Sequence, residues 1–152
     1  MLPFISPNNL TNLWPVSQLT GTATLNAGGV VAPLGPVLNG GFATDTVWAK
    51  TGGFTISGGK ANHPPGVYGT LQQPIANIIP GKSYILTYTI SNRTVGVALG
   101  GFVGGSAVYG APVGANQVVS QTIVAGAGNT TLSIEVQDIF DGSVDDVSIV
   151  AA

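Results

Sequence analysis

From Ser83 to Ser91 the side chains alternate in character: Tyr84, Leu86, Tyr88 and Ile90 fall on one face, and Ser83, Ile85, Thr87 and Thr89 on the other. A period of two is the signature of a pleated strand with one face in a core, and it is incompatible with a helix. The rhythm recurs along the chain. Phe54 and Ile56 alternate with Thr55 and Ser57 before Gly58-Gly59, a pair that turns a chain without strain, and Lys60 to Asn62 restarts it. Tyr68 to Ile75, the alternation of Val95, Val97 and Leu99, Ala107 to Tyr109, Gln117 to Val124, Thr131 to Val136 and Ser143 to Val150 follow, with Pro80-Gly81 as a further turn. About eight short strands at this spacing, each burying one face, predict an all-β antiparallel protein of two sheets packed face to face.

At 152 residues the chain is long enough for one domain. Charged residues make up only 7% of it, against about 25% in ordinary soluble domains. Four cationic side chains (Lys50, Lys60, Lys82, Arg93) cannot neutralise a phosphate backbone, so no nucleic-acid partner is expected. With no cysteine and one histidine, disulfides, thiolate zinc sites and cysteine nucleophiles are excluded. The uncharged stretch Val95 to Ala115 holds seven Gly and Pro112, a poor composition for a spanning helix, and no membrane partner is expected. The first residues, Met1 to Asn9, show neither the basic segment nor the continuous apolar run of a secretory signal, so cytoplasmic synthesis without a signal peptide is the expectation. The triplets beginning at Asn9, Asn92 and Asn129 then carry no weight as glycosylation sites.

Residues 1–44 carry no charge and hold five prolines. Residues 1–37 read as an extended N-terminal arm and 38–152 as the sandwich domain. Leaving the arm's apolar groups in water is costly, at about 25 cal/mol per Å². Either the arm folds back on its own domain, with short strands at Thr22–Leu25 and Val30–Val31, or it lies on a neighbouring subunit. In the second case Phe4, Leu10, Leu13 and Trp14 are the candidate partner-binding residues, Trp14 being a natural anchor for a pocket.

The succession Asn39-Gly40-Gly41-Phe42, Trp48, Gly53 to Ala61, Leu71-Gln72-Gln73, Ile79-Pro80-Gly81-Lys82-Ser83-Tyr84 and Phe140-Asp141-Gly142-Ser143-Val144-Asp145-Asp146-Val147-Ser148-Ile149 resembles the galactose-binding-like jelly rolls, of which carbohydrate-binding modules are familiar members. The resemblance spans residues 38 to 150. It implies a jelly-roll sandwich and leaves function open, since sugar-binding modules, adhesion domains and cement or decoration proteins of tailed-phage capsids share the shell. It also implies a structural calcium near Gly41, Lys60 and Asp145, Lys60 giving only its carbonyl. By parity Asp145 lies on the face of Val147 and Ile149, so the alternative is a carboxylate that accepts N–H groups of the Asn39–Phe42 turn with no ion. Apart from that calcium no cofactor is expected.

No enzyme is expected either. The single imidazole, His63, stands in Asn62-His63-Pro64-Pro65-Gly66, read as a rigid loop in which it bonds to backbone, and no Gly-x-Ser-x-Gly elbow accompanies it. Four of the six acids crowd into residues 138–146, which suits a turn or a cation better than an acid/base pair. Trp48, Tyr84 and Tyr88 read as core, leaving Tyr68 and Tyr109 as candidate sugar platforms, since a sugar ring stacks on an exposed aromatic face.

So little charge on a small sandwich suggests a surface that another molecule covers. The leading expectation is a virion protein, a cement or decoration protein on the capsid surface. It would be made in the host cytoplasm and would bind the major capsid protein and its own copies as dimers or trimers. The alternative is a non-catalytic carbohydrate-binding module or a phage tail or fibre adhesion domain.

Overall fold

The computed structural model describes residues 25–26 and 29–30 at the level of the backbone and the chain from residue 32 to 152 in full. Strands β1 (Leu25–Asn26) and β2 (Gly29–Val30) form a two-residue antiparallel ladder, Leu25 opposite Val30. Residues 22–24 and 31 of the expected arm strands lie outside the described residues.

The compact unit begins at Leu34 and is all β. Leu34 and Val37 already pack against its core, and the Gly35 N–H donates to the Ala76 carbonyl at 2.8 Å, so residues 34–37 join the sandwich instead of the arm. Its ten strands are β3 (Ala49–Lys50), β4 (Thr55–Ser57), β5 (Lys60–His63), β6 (Gly69–Pro74), β7 (Ser83–Val95), β8 (Ala98–Val103), β9 (Val108–Tyr109), β10 (Gln117–Val124), β11 (Thr131–Val136) and β12 (Asp141–Ala151). They form two antiparallel sheets of five, ordered β10-β7-β12-β5-β4 and β3-β6-β11-β8-β9. This is the two-sheet antiparallel jelly-roll sandwich expected from the alternation, with two strands more than the eight anticipated. No helix among the described residues is long and apolar enough to cross a membrane.

The inward positions of both sheets make the core: Tyr84, Leu86, Tyr88 and Ile90 from β7 meet Leu132, Ile134 and Val136 from β11, with Phe102, Phe42, Trp48 and Phe140 closing the ends. Tyr84 packs edge-on against Phe102, ring centroids 5.6 Å apart, across the two layers. Two of the buried aromatics have partners for their polar tips. The Trp48 indole N–H donates to the Asn39 carbonyl at 3.0 Å, and the Tyr84 hydroxyl accepts the Ile79 N–H at 2.8 Å.

The alternation of Val95, Val97 and Leu99 does not form one strand. Val95 ends β7 and Leu99 lies in β8, which belongs to the other sheet, so the chain changes layers at Gly96. Gly96 sits at φ +82°, and a Cβ there would lie 2.4 Å from the Phe140 Cα. Only glycine fits this corner.

Candidate functional site

The outward face of the sheet β3-β6-β11-β8-β9 is set by parity. On β11, Leu132, Ile134 and Val136 point into the core, which turns Thr131, Ser133 and Glu135 outward. The antiparallel registers place Thr70 of β6 and Leu99 of β8 opposite Glu135, and Gln72 and Gly101 opposite Ser133. Tyr109 of β9 lies opposite Gly101. Tyr68 precedes β6 by one residue and shares the outward parity of Thr70 and Gln72.

Both candidate tyrosines converge on one carboxylate. The Tyr68 hydroxyl donates to Glu135 Oε2, and the Tyr109 hydroxyl donates to Glu135 Oε1. Tyr109 reaches Glu135 from two strands away, over β8, and the residue beneath its ring is Gly101. A Cβ on Gly101 would stand 2.7 Å from Tyr109 Cδ1 and 2.1 Å from the Val108 carbonyl oxygen. The missing side chain is what lets the ring lie down across β8, an aromatic covering a strand glycine.

The rings remain open to solvent, Tyr68 at 49% and Tyr109 at 38% exposure. A polar row continues from the carboxylate: the Ser133 hydroxyl donates to Glu135 Oε1 at 3.3 Å, and Gln72 Nε2 donates to Ser133 Oγ at 3.3 Å. Desolvation beside the sheet, then the hydrogen bond to Glu135, then its negative charge, push the Tyr109 hydroxyl up to about 12; the same causes in the same order, joined by Tyr109 itself, raise Tyr68 further. Both phenols therefore stay neutral donors at ordinary pH and hold Glu135 as a shared acceptor. The result is two exposed aromatic faces flanking a carboxylate, beside the half-buried Gln72 amide, with the Ser133 hydroxyl buried between carboxylate and amide.

Glu135 was not among the residues the sequence singled out. It is the single Glu of the chain and stands mid-strand on the outward parity between buried Ile134 and Val136. That signal is present in the sequence, whereas its two tyrosine partners come from strands that only the fold brings beside it.

The other candidates land elsewhere. A cleft of about 420 Å³ opens beside the sheet β10-β7-β12-β5-β4, lined in part by Thr55, Asn62, His63, Asn92, Asp141 and Ser143, with no tyrosine or tryptophan in its wall. His63 is not a loop residue. It ends β5, is 2% exposed, and its Nδ1 donates to the Phe140 carbonyl at 2.9 Å, with the Phe54 ring 4.7 Å away. The two prolines that suggested a loop follow the strand and do not include His63.

Asp145 does not face the core. Between Asp145 and Ser148 the β12–β7 ladder shifts register, with Asp146 at φ 52°, so Val144, Val147 and Ile149 point inward and Asp145 stays half-buried. Asp145 Oδ1 accepts the Asp146 N–H at 2.8 Å. The Asn39–Phe42 turn does meet this bulge, through the Val147 N–H and the Gly40 carbonyl at 2.9 Å instead of the Asp145 carboxylate. Gly41 is exposed in that turn, and the Lys60 ammonium donates to Ser91 Oγ at 2.8 Å. No cluster of three His, Cys, Asp or Glu that could hold a metal occurs among the described residues. Phe4, Leu10, Leu13 and Trp14 lie outside the described residues.

No protein-family model matches this chain, and no curated protein matches it. Among solved structures, it is similar to two mutants of a family 29 carbohydrate-binding module, at 13% and 10% identity and TM-scores of 0.49 and 0.48. Each match covers 79% of this chain, and 89% and 84% of the respective modules. It is also similar to the enzymatically active domain of tailspike protein 4 from bacteriophage CBA120, at 18% identity and a TM-score of 0.44, over 78% of this chain and 19% of that one.

Proposed function

We propose that this chain is a non-catalytic carbohydrate-binding module whose binding face is the outward side of the sheet β3-β6-β11-β8-β9. The observation that carries the reading is the pair Tyr68 and Tyr109, held on one side of the sheet by Glu135. Two half-exposed rings offer stacking faces to the apolar sides of sugar rings. Glu135 and Gln72 offer acceptors and donors to hydroxyls beside them, with the buried Ser133 hydroxyl bonded to both. Because the phenols are tied down before any ligand arrives, little side-chain entropy is lost on binding. The capsid-cement reading draws on Phe4, Leu10, Leu13 and Trp14, which lie outside the described residues.

Screening the chain against a panel of neutral and acidic polysaccharides by affinity electrophoresis tests the reading. Retardation by at least one polysaccharide is expected, with Tyr109→Ala and Tyr68→Ala each weakening it about tenfold, the cost of one lost stacking contact of about 1.4 kcal/mol. Absence of binding to every glycan, or binding that neither alanine variant alters, defeats it.

A further inference from the structure

The sandwich has four strand edges, and they are not alike. β4, β3 and β9 are three, two and two residues long, which is one way proteins keep edges from recruiting other chains. β10 is eight residues long, Gln117-Val118-Val119-Ser120-Gln121-Thr122-Ile123-Val124, and among the described residues pairs only with β7. It has no charge, no proline and no glycine, and its register with β7 is continuous from Gln117 to Val124 with no bulge. Beyond the ladder to β7, no backbone group of 117–124 has a hydrogen-bond partner among the described residues. The β9–β10 connection touches it through one side chain, Gln121 Nε2 donating to the Ala111 carbonyl at 2.9 Å on the core-facing parity of Val119 and Ile123. Charge, proline and bulge, the devices that blunt a long edge within the strand itself, are absent.

What fits such an edge is another extended strand, since its free N–H and C=O groups demand a ladder. The side chains favour one strand in particular. Val119 and Ile123 point into the core at 3% and 4% exposure, whereas Val118 and Val124 point outward at 67% and 53%. If two copies of β10 pair antiparallel about an axis through Gln121, residues of equal parity face each other. Val118 meets Val124 of the partner subunit, Ser120 meets Thr122 of the partner subunit, and Val119 meets Ile123 of the partner subunit. The two exposed valines cover each other, the core-facing pair stays on the core side, and no charge is opposed anywhere along the line.

We propose that β10 is a self-association edge, and that two copies of this chain join through it into one continuous ten-stranded sheet. The contact is short, so the dimer is a reversible one. The proposal is independent of the sugar-binding reading, because β10 lies in the other sheet.

Sedimentation velocity of the full chain from about 1 μM to about 1 mM is the direct measurement, this being the range of reversible small interfaces. A concentration-dependent dimer is expected. The double variant Val118→Lys with Val124→Lys, both at exposed positions, puts like charges directly opposite one another and loosens the dimer about a hundredfold. Val150→Lys, 55% exposed on β12 of the same sheet but away from the edge, leaves it unchanged. Since the chain has no cysteine, the register can be read by disulfide capture. Chains carrying Val118→Cys and Val124→Cys cross-link when mixed and oxidised, and neither does so alone. A monomer throughout the concentration range overturns the proposal. So does a dimer broken by Val150→Lys and indifferent to the lysine pair, because that would be stacking of sheet faces.

Discussion

Tyr109, on an edge strand, gives its hydroxyl to Glu135 two strands away, and it does so by lying across an outward position on β8 between them that has no side chain, Gly101. A surface that would otherwise be a plain pleat becomes a flat, partly aromatic platform because a glycine was spent where a strand ordinarily prefers a branched residue.

Replacing that glycine removes the platform without touching either tyrosine. Gly101→Val drives a Cβ into Tyr109 and the Val108 carbonyl. Equilibrium urea unfolding should show a loss of about 2 kcal/mol, the cost of forcing a side chain into filled space. Polysaccharide retardation should fall at least as far as in Tyr109→Ala. Retained binding by a folded Gly101→Val chain would show that the ring need not lie over β8.

The phenols set an alkaline limit. In the unfolded chain a tyrosine ionises near 10, whereas Tyr109 and the deeply buried Tyr88 are each pushed up to about 12 in the fold, chiefly by desolvation. Between these values the native state binds more protons than the unfolded one, so stability is fully present below pH 10 and drops as pH rises toward 12. Glu135→Gln removes the negative charge beside Tyr109 and leaves a neutral acceptor, and the ultraviolet ionisation midpoint of Tyr109 should move downward while staying above 10, since burial is the largest cause. Stability that stays level from pH 10 to 12 contradicts this assignment.

Gly96→Ala tests the corner between the layers. The substitution places a methyl 2.4 Å from the Phe140 Cα at a φ of +82° that L residues rarely adopt. A loss of about 3 kcal/mol or more is expected in thermal or urea unfolding, from strain and clash together. A loss under about 1 kcal/mol would mean that the corner has room to relax.

Asn129 begins one of the three glycosylation-like triplets, yet it is 3% exposed and acts as an internal clasp. Its Oδ1 accepts the Gly126 N–H at 2.7 Å, and its Nδ2 donates to the Gly104 and Ser106 carbonyls at 2.7 and 2.8 Å, tying the β8–β9 turn to the β10–β11 turn. Asn129→Ala orphans three backbone groups and should cost about 3 kcal/mol. Hydrogen exchange should quicken first at Gly126, whose N–H loses its acceptor.

Calcium is expected to leave the protein unaltered. The Asp145 carboxylate is turned onto the neighbouring N–H of Asp146, and calcium seeks six to eight oxygens. The melting temperature should be the same in calcium and in EDTA; a rise of several degrees with calcium would require a site that includes Asp145.

The local rhythm of the sequence was sufficient for the class of fold. Alternation in β7 and β11 leaves no other way to bury Tyr84, Leu86, Tyr88 and Ile90 or Leu132, Ile134 and Val136, because a period of two matches one face of a pleat and nothing else. It was also sufficient to separate Trp48, Tyr84 and Tyr88, which are buried, from Tyr68 and Tyr109, which are not. Parity fails wherever the backbone departs from the pleat: the bulge after Asp145 reversed the face expected of that residue, and Gly96 divided an apparent strand between two sheets. Which residues become neighbours is a matter of strand order. Tyr68, Glu135 and Tyr109 are separated by 67 and 26 positions in the chain, and no local preference links them. Their meeting depends on β6, β11, β8 and β9 lying side by side, an arrangement decided by how two twisted, one-face-apolar sheets close over a single core.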